Sequence, residues 1–199
     1  LDGLALRAAA FTNLGHDHLD YHASLADYAA AKRRLFEQPG LGAAVLNVDD
    51  ALGAALAREL SARMSCWTTS SRGADARLRA SDIEVTPDGM RFVLELDGVR
   101  HVVQSALAGR FNVDNLLAVG GALHALGESP AGIADLLSRL QPVHGRMNRL
   151  GGDGRLPLVV IDYAHTPDAL EQALTSLRAH AAAKLVCVFG CGGDRDTGK

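Results

Sequence analysis

Over the first seventy residues, short apolar blocks alternate with segments whose apolar positions recur three and four apart. Residues 7–12 (RAAAFT) read as a short buried strand, and Ala43 to Val48 as a second strand bounded by Gly42 and Asp49-Asp50; a third lies at Ser65 to Thr69. Between them the helical period predicts one helix over about 24–38 and another ending near Arg63. The first is opened by Ser24 as N-cap, with Asp27 in capping-box position. Strand–helix alternation of this kind predicts a parallel sheet flanked by helices. Over residues 77–105 the period drops to two, interrupted at Pro87-Asp88-Gly89 and Asp97-Gly98, which predicts antiparallel hairpins. Helices return over about 112–126 and 130–140, the second with Ser129 as N-cap and Pro130 in the first helical position. A new unit begins around Val143-His144-Gly145: strands at 146–150 and 157–163 flank the Gly151-Gly152-Asp153-Gly154 turn, a helix starts at Thr166-Pro167, and a strand covers Leu185 to Phe189. The expected fold class is therefore α/β, a partial parallel sheet with an antiparallel hairpin subsheet, followed by the start of a second α/β domain. The boundary falls near 145, giving units 1–145 and 146–199.

With 199 residues, 48% of them hydrophobic, the chain can bury one good core or one and a half domains. A net charge of −3 without runs of like charge argues against a nucleic-acid partner. No apolar stretch approaches membrane-spanning length, and no signal peptide opens the sequence. Cys66, Cys187 and Cys191 fit neither a disulfide framework nor a zinc pattern, so a reduced, cytoplasmic protein is expected. The absence of an initiator methionine and the stop in a glycine-rich loop after a strand are read as marks of an internal fragment.

Five clusters carry candidate chemistry. The first is the run from Asn13 to His22, where His16, His18 and His22 mix with Asp17 and Asp20. His18 and His22 would share a helical face; zinc, magnesium or a merely solvated loop all suit such donors. The second is Lys32, on the same helical stripe as Leu25, Tyr28, Leu35 and Phe36, with Arg33 and Arg34 turned to solvent. A cation on a buried face must snorkel, find a carboxylate or lose its charge. Arginine cannot take the last route, and this chain has only three lysines. Third, Asp162-Tyr163-Ala164-His165-Thr166-Pro167-Asp168 stands at a strand's end and enters a helix, where α/β sheets bind anionic ligands; Thr166 and Pro167 are explained by capping alone. Fourth, Gly109-Arg110-Phe111-Asn112-Val113-Asp114-Asn115 opens a helix, with Arg146 at the seam after it, able to bind an anion or a surface carboxylate. Fifth, Gly190-Cys191-Gly192-Gly193-Asp194-Arg195-Asp196 follows a strand but lacks the pattern of a P-loop or a dinucleotide fingerprint.

Taken in order, the segments FTNLGHDHLDYH (11–22), YAAAKRRLF (28–36), VLNVDD (45–50), GRFNVDN (109–115), LQPVHGRM (140–147), DYAHTPDAL (162–170) and FGCGGDRDTGK (189–199) resemble the Mur ligases of peptidoglycan synthesis, in particular the branch that adds the third amino acid. That resemblance implies an ATP-dependent amide ligase working through an acyl phosphate, with ATP and Mg2+, on a UDP-MurNAc-dipeptide and a diamino acid, either diaminopimelate or lysine. It implies that Lys32 is N6-carboxylated and holds magnesium with His18, and that Asn13 lies in the same loop. It places Asn115 at the adenine with Asn112 beside it, Arg146 at the ATP phosphates, Asp162 and His165 along the nucleotide, and Arg195 on the incoming amino acid. Another Mur ligase or folylpolyglutamate synthase is the alternative within the class; a nucleotide- or metal-binding module is the non-enzymatic one. The glycine-rich ATP loop, the magnesium-sharing glutamate and the Asp-Asn-Pro-Arg motif are not in this sequence, so the fragment is not expected to turn over alone. The parent is expected to be monomeric.

Overall fold

The computed structural model describes residues 3–15, 22–86, 88–152, 156–181 and 184–190. Strand β1 (Ala8–Phe11) pairs in parallel with β2 (Ala43–Asn47), and β2 in parallel with β3 (Ser65–Ser70). All five residues of β2 are buried, because helices cover both faces of this part of the sheet. Ala44 and Leu46 pack with Leu56 and Leu60 of α2 (Ala51–Leu60). Val45 points the other way, to α3 (Phe111–Ala125), where a Cβ on Gly121 would sit only 2.5 Å from Val45 Cγ1. The glycine is what lets the helix axis approach the strand so closely.

β4 (Leu78–Thr86) pairs in parallel with β3 over only Thr69–Leu78 and Ser70–Arg79. Parallel neighbours normally need a long crossover to bring the chain back to its starting level. Here residues 71–77 suffice, because β4 starts level with the end of β3 and runs on past it. β5 (Gly89–Leu96) and β6 (Val99–Ser105) then add as antiparallel hairpins, completing a six-stranded sheet in sequential order. Asp97 (φ 51°) and Gly98 (φ 78°) make the second hairpin a two-residue turn with both central residues left-handed. The inner face of β4 to β6 (Leu78, Phe92, Leu94, Leu96, Val103) forms one core with α3 and α4 (Pro130–Arg139). As predicted, Ser129 caps α4, accepting from the Gly132 amide.

Helix α1 (Leu25–Arg33) differs from expectation. Ser24 does cap it, accepting from the Asp27 amide at 3.1 Å. It ends early, however, in a 3-10 turn over Arg34–Glu37, and no residue of α1 is buried; the buried anchor is Phe36, in the turn. Lys32 is half-buried and lays its Nζ over the Tyr28 ring, 4.7 Å from the centroid. Of the three routes open to a lysine on that stripe, Lys32 takes the snorkelling one, on a helix none of whose residues is buried. Arg34 is exposed as expected, whereas Arg33 pairs with Glu59 on α2. His22 lies in a bend before the helix, and His18, expected to share a helical face with it, is outside the described residues.

The second unit opens with β7 (Asn148–Leu150) and β8 (Val159–Ile161), an antiparallel pair shorter than predicted, and continues with α5 (Pro167–His180), capped by Thr166. Residues 184–190 form no paired strand; Val186, Val188 and Phe189 are exposed. The expected strand at Leu185 to Phe189 therefore has the β composition but no described neighbour to supply its ladder. Two contacts tie this unit to the first. Met147 and Ala173 pack on Ala108, beside Phe111, and α5 reaches the end of β4, where His180 nears the Thr86 backbone.

His180 Nε2 is buried without a partner among the described residues. Burial and the nearby Arg149 cation push its pKa below the ordinary histidine value, only partly offset by the Thr86 backbone. A depressed folded-state pKa favours the neutral ring, so its stabilising contribution is complete above the ordinary histidine value and is lost as the pH falls through the folded-state one. The urea midpoint should fall from pH 7.5 to pH 5 more steeply in the natural chain than in His180→Gln; parallel curves would remove His180 from the acid response.

Candidate nucleotide site at the carboxyl edge of the sheet

Ligands of open α/β sheets bind beyond the carboxyl ends of the parallel strands. At that edge the chain is held by three polar residues, Asn47 at the end of β2 and Asp49 and Asp50 just after it. Asn47 donates from Nδ2 to the Thr12 carbonyl at 2.8 Å, and Asp50 Oδ2 accepts from the Leu14 amide at 2.9 Å, which together pin the loop leaving β1. Asp50 also caps α2, accepting from the Leu52 and Gly53 amides. Asp49 holds the exit of β3: its carboxylate accepts from Ser70 Oγ at 2.7 Å, the Ser71 amide at 2.8 Å and the Arg72 amide at 3.2 Å.

Ser71 carries this network to α3. It donates from Oγ to Asp114 Oδ1 at 2.5 Å, and receives Arg110 Nη1 on Oγ at 3.2 Å and Arg110 Nη2 on its carbonyl at 2.7 Å. On the same first turn, Asn115 donates from Nδ2 to Asn112 Oδ1 at 2.9 Å, while Asn112 Nδ2 donates to the Ala108 carbonyl at 2.7 Å. Asn115 is exposed. Its amide oxygen and its second N–H have no hydrogen-bond partner among the described residues. An amide so placed can give and take one hydrogen bond side by side, the pairing that suits the adenine N6/N7 edge.

The seam residues lie against the start of α3 through the Met147–Ala108 contact. Asp162 ties the seam to the end of β8, accepting from the Met147 amide at 2.9 Å and the Ala164 amide at 2.8 Å. Arg146 is exposed, its guanidinium carbon 5.3 Å from the Tyr163 ring centroid. His165 is also exposed, with Nδ1 3.0 Å from the Tyr163 carbonyl and its ring edge-on to Tyr163. The fold thus brings Asn112 with Asn115, and Arg146 with Asp162, Tyr163 and His165. Asn13 is exposed on the pinned loop after β1. Lys32 stands on α1 with Tyr28. His18 and Arg195 lie outside the described residues.

Asp49, Ser71, Arg110 and Asp114 were not singled out for a role by sequence reasoning, although VLNVDD and GRFNVDN contain three of them. The usable signal was the pair of aspartates directly after a fully apolar strand, too many for one helix cap. Among the described residues no group of three His, Cys, Asp or Glu could hold a metal, and no helix is long and apolar enough to cross a membrane.

Two family models match the chain. The Mur ligase middle domain matches residues 1–123, and the Mur ligase glutamate ligase domain matches 145–199. The UDP-N-acetylmuramoyl-L-alanyl-D-glutamate–2,6-diaminopimelate ligase of Xanthomonas campestris is 58% identical over 200 residues, covering 100% of this chain and 40% of the relative. Its namesake in Pseudomonas aeruginosa is 50% identical over 196 residues, covering 98% and 40%. A solved structure of a ligase with that name superposes with a TM-score of 0.78 at 38% identity, covering 98% of this chain and 40% of its own. MurF from Acinetobacter baumannii gives 0.76 at 25% identity, covering 87% and 37%. The chain therefore spans about 40% of the length of the curated relatives it matches. With more than half of its length matched by the middle-domain model, and relatives this similar over its full extent, the chain belongs to the Mur ligase family.

Proposed function

We propose that this chain supplies the nucleotide edge and the interdomain seam of a cytoplasmic, monomeric ligase that joins meso-diaminopimelate to UDP-MurNAc-L-Ala-D-Glu at the expense of ATP. Residues 1–145 belong to the central, ATP-binding domain and 146–199 to the domain that takes the amino acid. The observation that carries the reading is the oriented amide of Asn115, braced by Asn112 at the head of α3. The seam bearing Arg146 lies against that helix start. The names of the relatives support diaminopimelate as the third residue.

In this reading Asn115 takes the adenine edge, and Asn112 fixes which way its amide faces. Arg146 meets the phosphates: an exposed guanidinium whose reach is limited by Tyr163 suits a planar anion. His165 and Asp162 line the same side, although Asp162 also has the structural task of holding Met147. The γ-phosphoryl group passes to the γ-carboxylate of D-glutamate; the amino group of the third residue then attacks the acyl carbon and expels phosphate. Such chemistry depends on positioning and on charge neutralisation more than on covalent help from the protein.

Magnesium would supply charge neutralisation at the transferring phosphate. The described donor set does not by itself make a site for it: no three His, Cys, Asp or Glu side chains come together among the described residues, and the Lys32 amine lies over the Tyr28 ring. Carboxylation of Lys32, with His18 as its fellow ligand, remains part of the proposal, as do Asn13 in that loop and Arg195 on the amino acid's carboxylate. Carbon-13 NMR under labelled CO2 would show a carbamate signal lost in Lys32→Ala, and its absence in the natural protein would remove the carboxylated lysine.

The full-length protein should form UDP-MurNAc-tripeptide from the dipeptide, meso-diaminopimelate and ATP, with ADP and phosphate released in equal amounts. Product with L-lysine in place of diaminopimelate would overturn the substrate assignment, and no ATP-dependent product with either would overturn the ligase reading.

A further inference from the structure

We infer that Ser71, Arg110 and Asp114 form a positioning clamp that sets nucleotide selectivity through Asn115 without touching the nucleotide. The inference rests on the reading of Asn115 as the adenine contact. α3 packs on the sheet through Val113, Leu116, Leu117, Gly120 and Gly121, and apolar contact of this kind is non-directional. It resists withdrawal of the helix more than rotation about its axis or slippage along it. At the start of α3 the N-cap residue, Arg110, makes no side-chain capping bond, and the Asn112 side chain bonds the Ala108 carbonyl just ahead of the helix and Asn115 within it, not the sheet. Directional bonds to that first turn come instead from Ser71, which is 5% exposed. It engages Arg110 and Asp114, four residues apart and hence on one face of the helix.

Ser71 is itself fixed, because Asp49 holds its amide. The line of bonds thus runs from the end of β2, through the exit of β3, to the helix that carries Asn112 and Asn115. One residue of helical rotation is about 100°, so even a tenth of that swings an exposed amide by about an ångström, enough to spoil a paired hydrogen bond. Asp114 and Arg110 are oppositely charged and both bonded to Ser71, so the clamp does not depend on a net charge at the helix start. None of the three needs to reach the ligand to affect it.

The test uses the full-length protein, with kinetics for ATP and GTP, since guanine offers an O6 acceptor where adenine offers an N6 donor. Asn115→Ala provides the reference, lowering the ATP/GTP ratio of kcat/KM. Ser71→Ala should raise the KM for ATP roughly five- to thirtyfold and lower that ratio, with kcat and the diaminopimelate KM changed less than about twofold. Asp114→Leu should do the same, and Asp114→Asn, which keeps an acceptor for Ser71 Oγ, should restore most of the selectivity. If Asp114→Leu does not accumulate, Ser71→Ala and Asp114→Asn decide the matter. A lowered melting temperature in Ser71→Ala with an unchanged ATP/GTP ratio would overturn the clamp while leaving Asn115 in place. An unchanged ratio in Asn115→Ala would overturn both the adenine assignment and the clamp built on it.

Discussion

Replacing Arg146 by alanine in the full-length protein should lower kcat by roughly a hundredfold, the usual cost of removing one preorganised group that meets developing charge. The KM for diaminopimelate should change little. The size of the effect follows from how the residue is held. Its backbone lies between two left-handed residues, Gly145 at φ 77° and Met147 at φ 48°. Its amide donates to the Val143 carbonyl at 2.9 Å, and the next amide is taken by Asp162. Met147 is 1% exposed, so this unusual conformation is enclosed by packing as well as by hydrogen bonds. The guanidinium is thereby delivered to one place at little entropic cost. Arg146→Lys should recover only part of the rate, since a point charge cannot reproduce two parallel hydrogen bonds. A kcat within threefold of the natural enzyme in Arg146→Ala would place the phosphates elsewhere.

The second large effect concerns stability. Gly53→Ala should lower the unfolding free energy by on the order of 3 kcal/mol, at the upper end of overpacking costs. A Cβ at this position would lie 1.8 Å from the Asn47 carbonyl oxygen and 2.9 Å from its carbon, both backbone atoms of β2. Neither can turn aside as a side chain could, so the start of α2 must lift off the strand. Asp50, which caps that helix and also holds the Leu14 amide, would move with it. Urea unfolding of Gly53→Ala beside Gly15→Ala, where a Cβ meets nothing within 4 Å, isolates the contact. Equal midpoints would show that α2 can yield without loss.

Much of this architecture was legible because its signals are local. Ser24, Ser129 and Thr166 were identified as helix caps from their own neighbourhoods, and each accepts the backbone bond expected of it. The Asp97-Gly98 turn and its alternating flanks were equally plain. For Lys32 the sequence leaves snorkelling, pairing and neutralisation all open, because periodicity gives the direction of a side chain but not the depth of the face it lies on. The strand expected at Leu185 to Phe189 shows the complementary failure: composition marks a segment as suited to a sheet, yet pairing needs a neighbour that composition cannot supply. At the candidate site, the roles of Asn112 and Asn115 are implied by family resemblance, whereas the Asp49–Ser71–Asp114 line joins residues 22 and 43 positions apart. Such a line has no sequence period and becomes visible only once β2, β3 and α3 are side by side.

The stagger between β3 and β4 also divides the sheet by the chain length each pairing must close. From β3 onward every strand meets a neighbour a few residues away, so those loops close at small entropic cost. β1 and β2, in contrast, meet across the whole of α1, with Ala8 opposite Ala43. Because folding speed tracks the sequence separation of contacts, the rate of this chain is governed by its parallel side, and the hairpin side is available early as a surface on which the rest can condense.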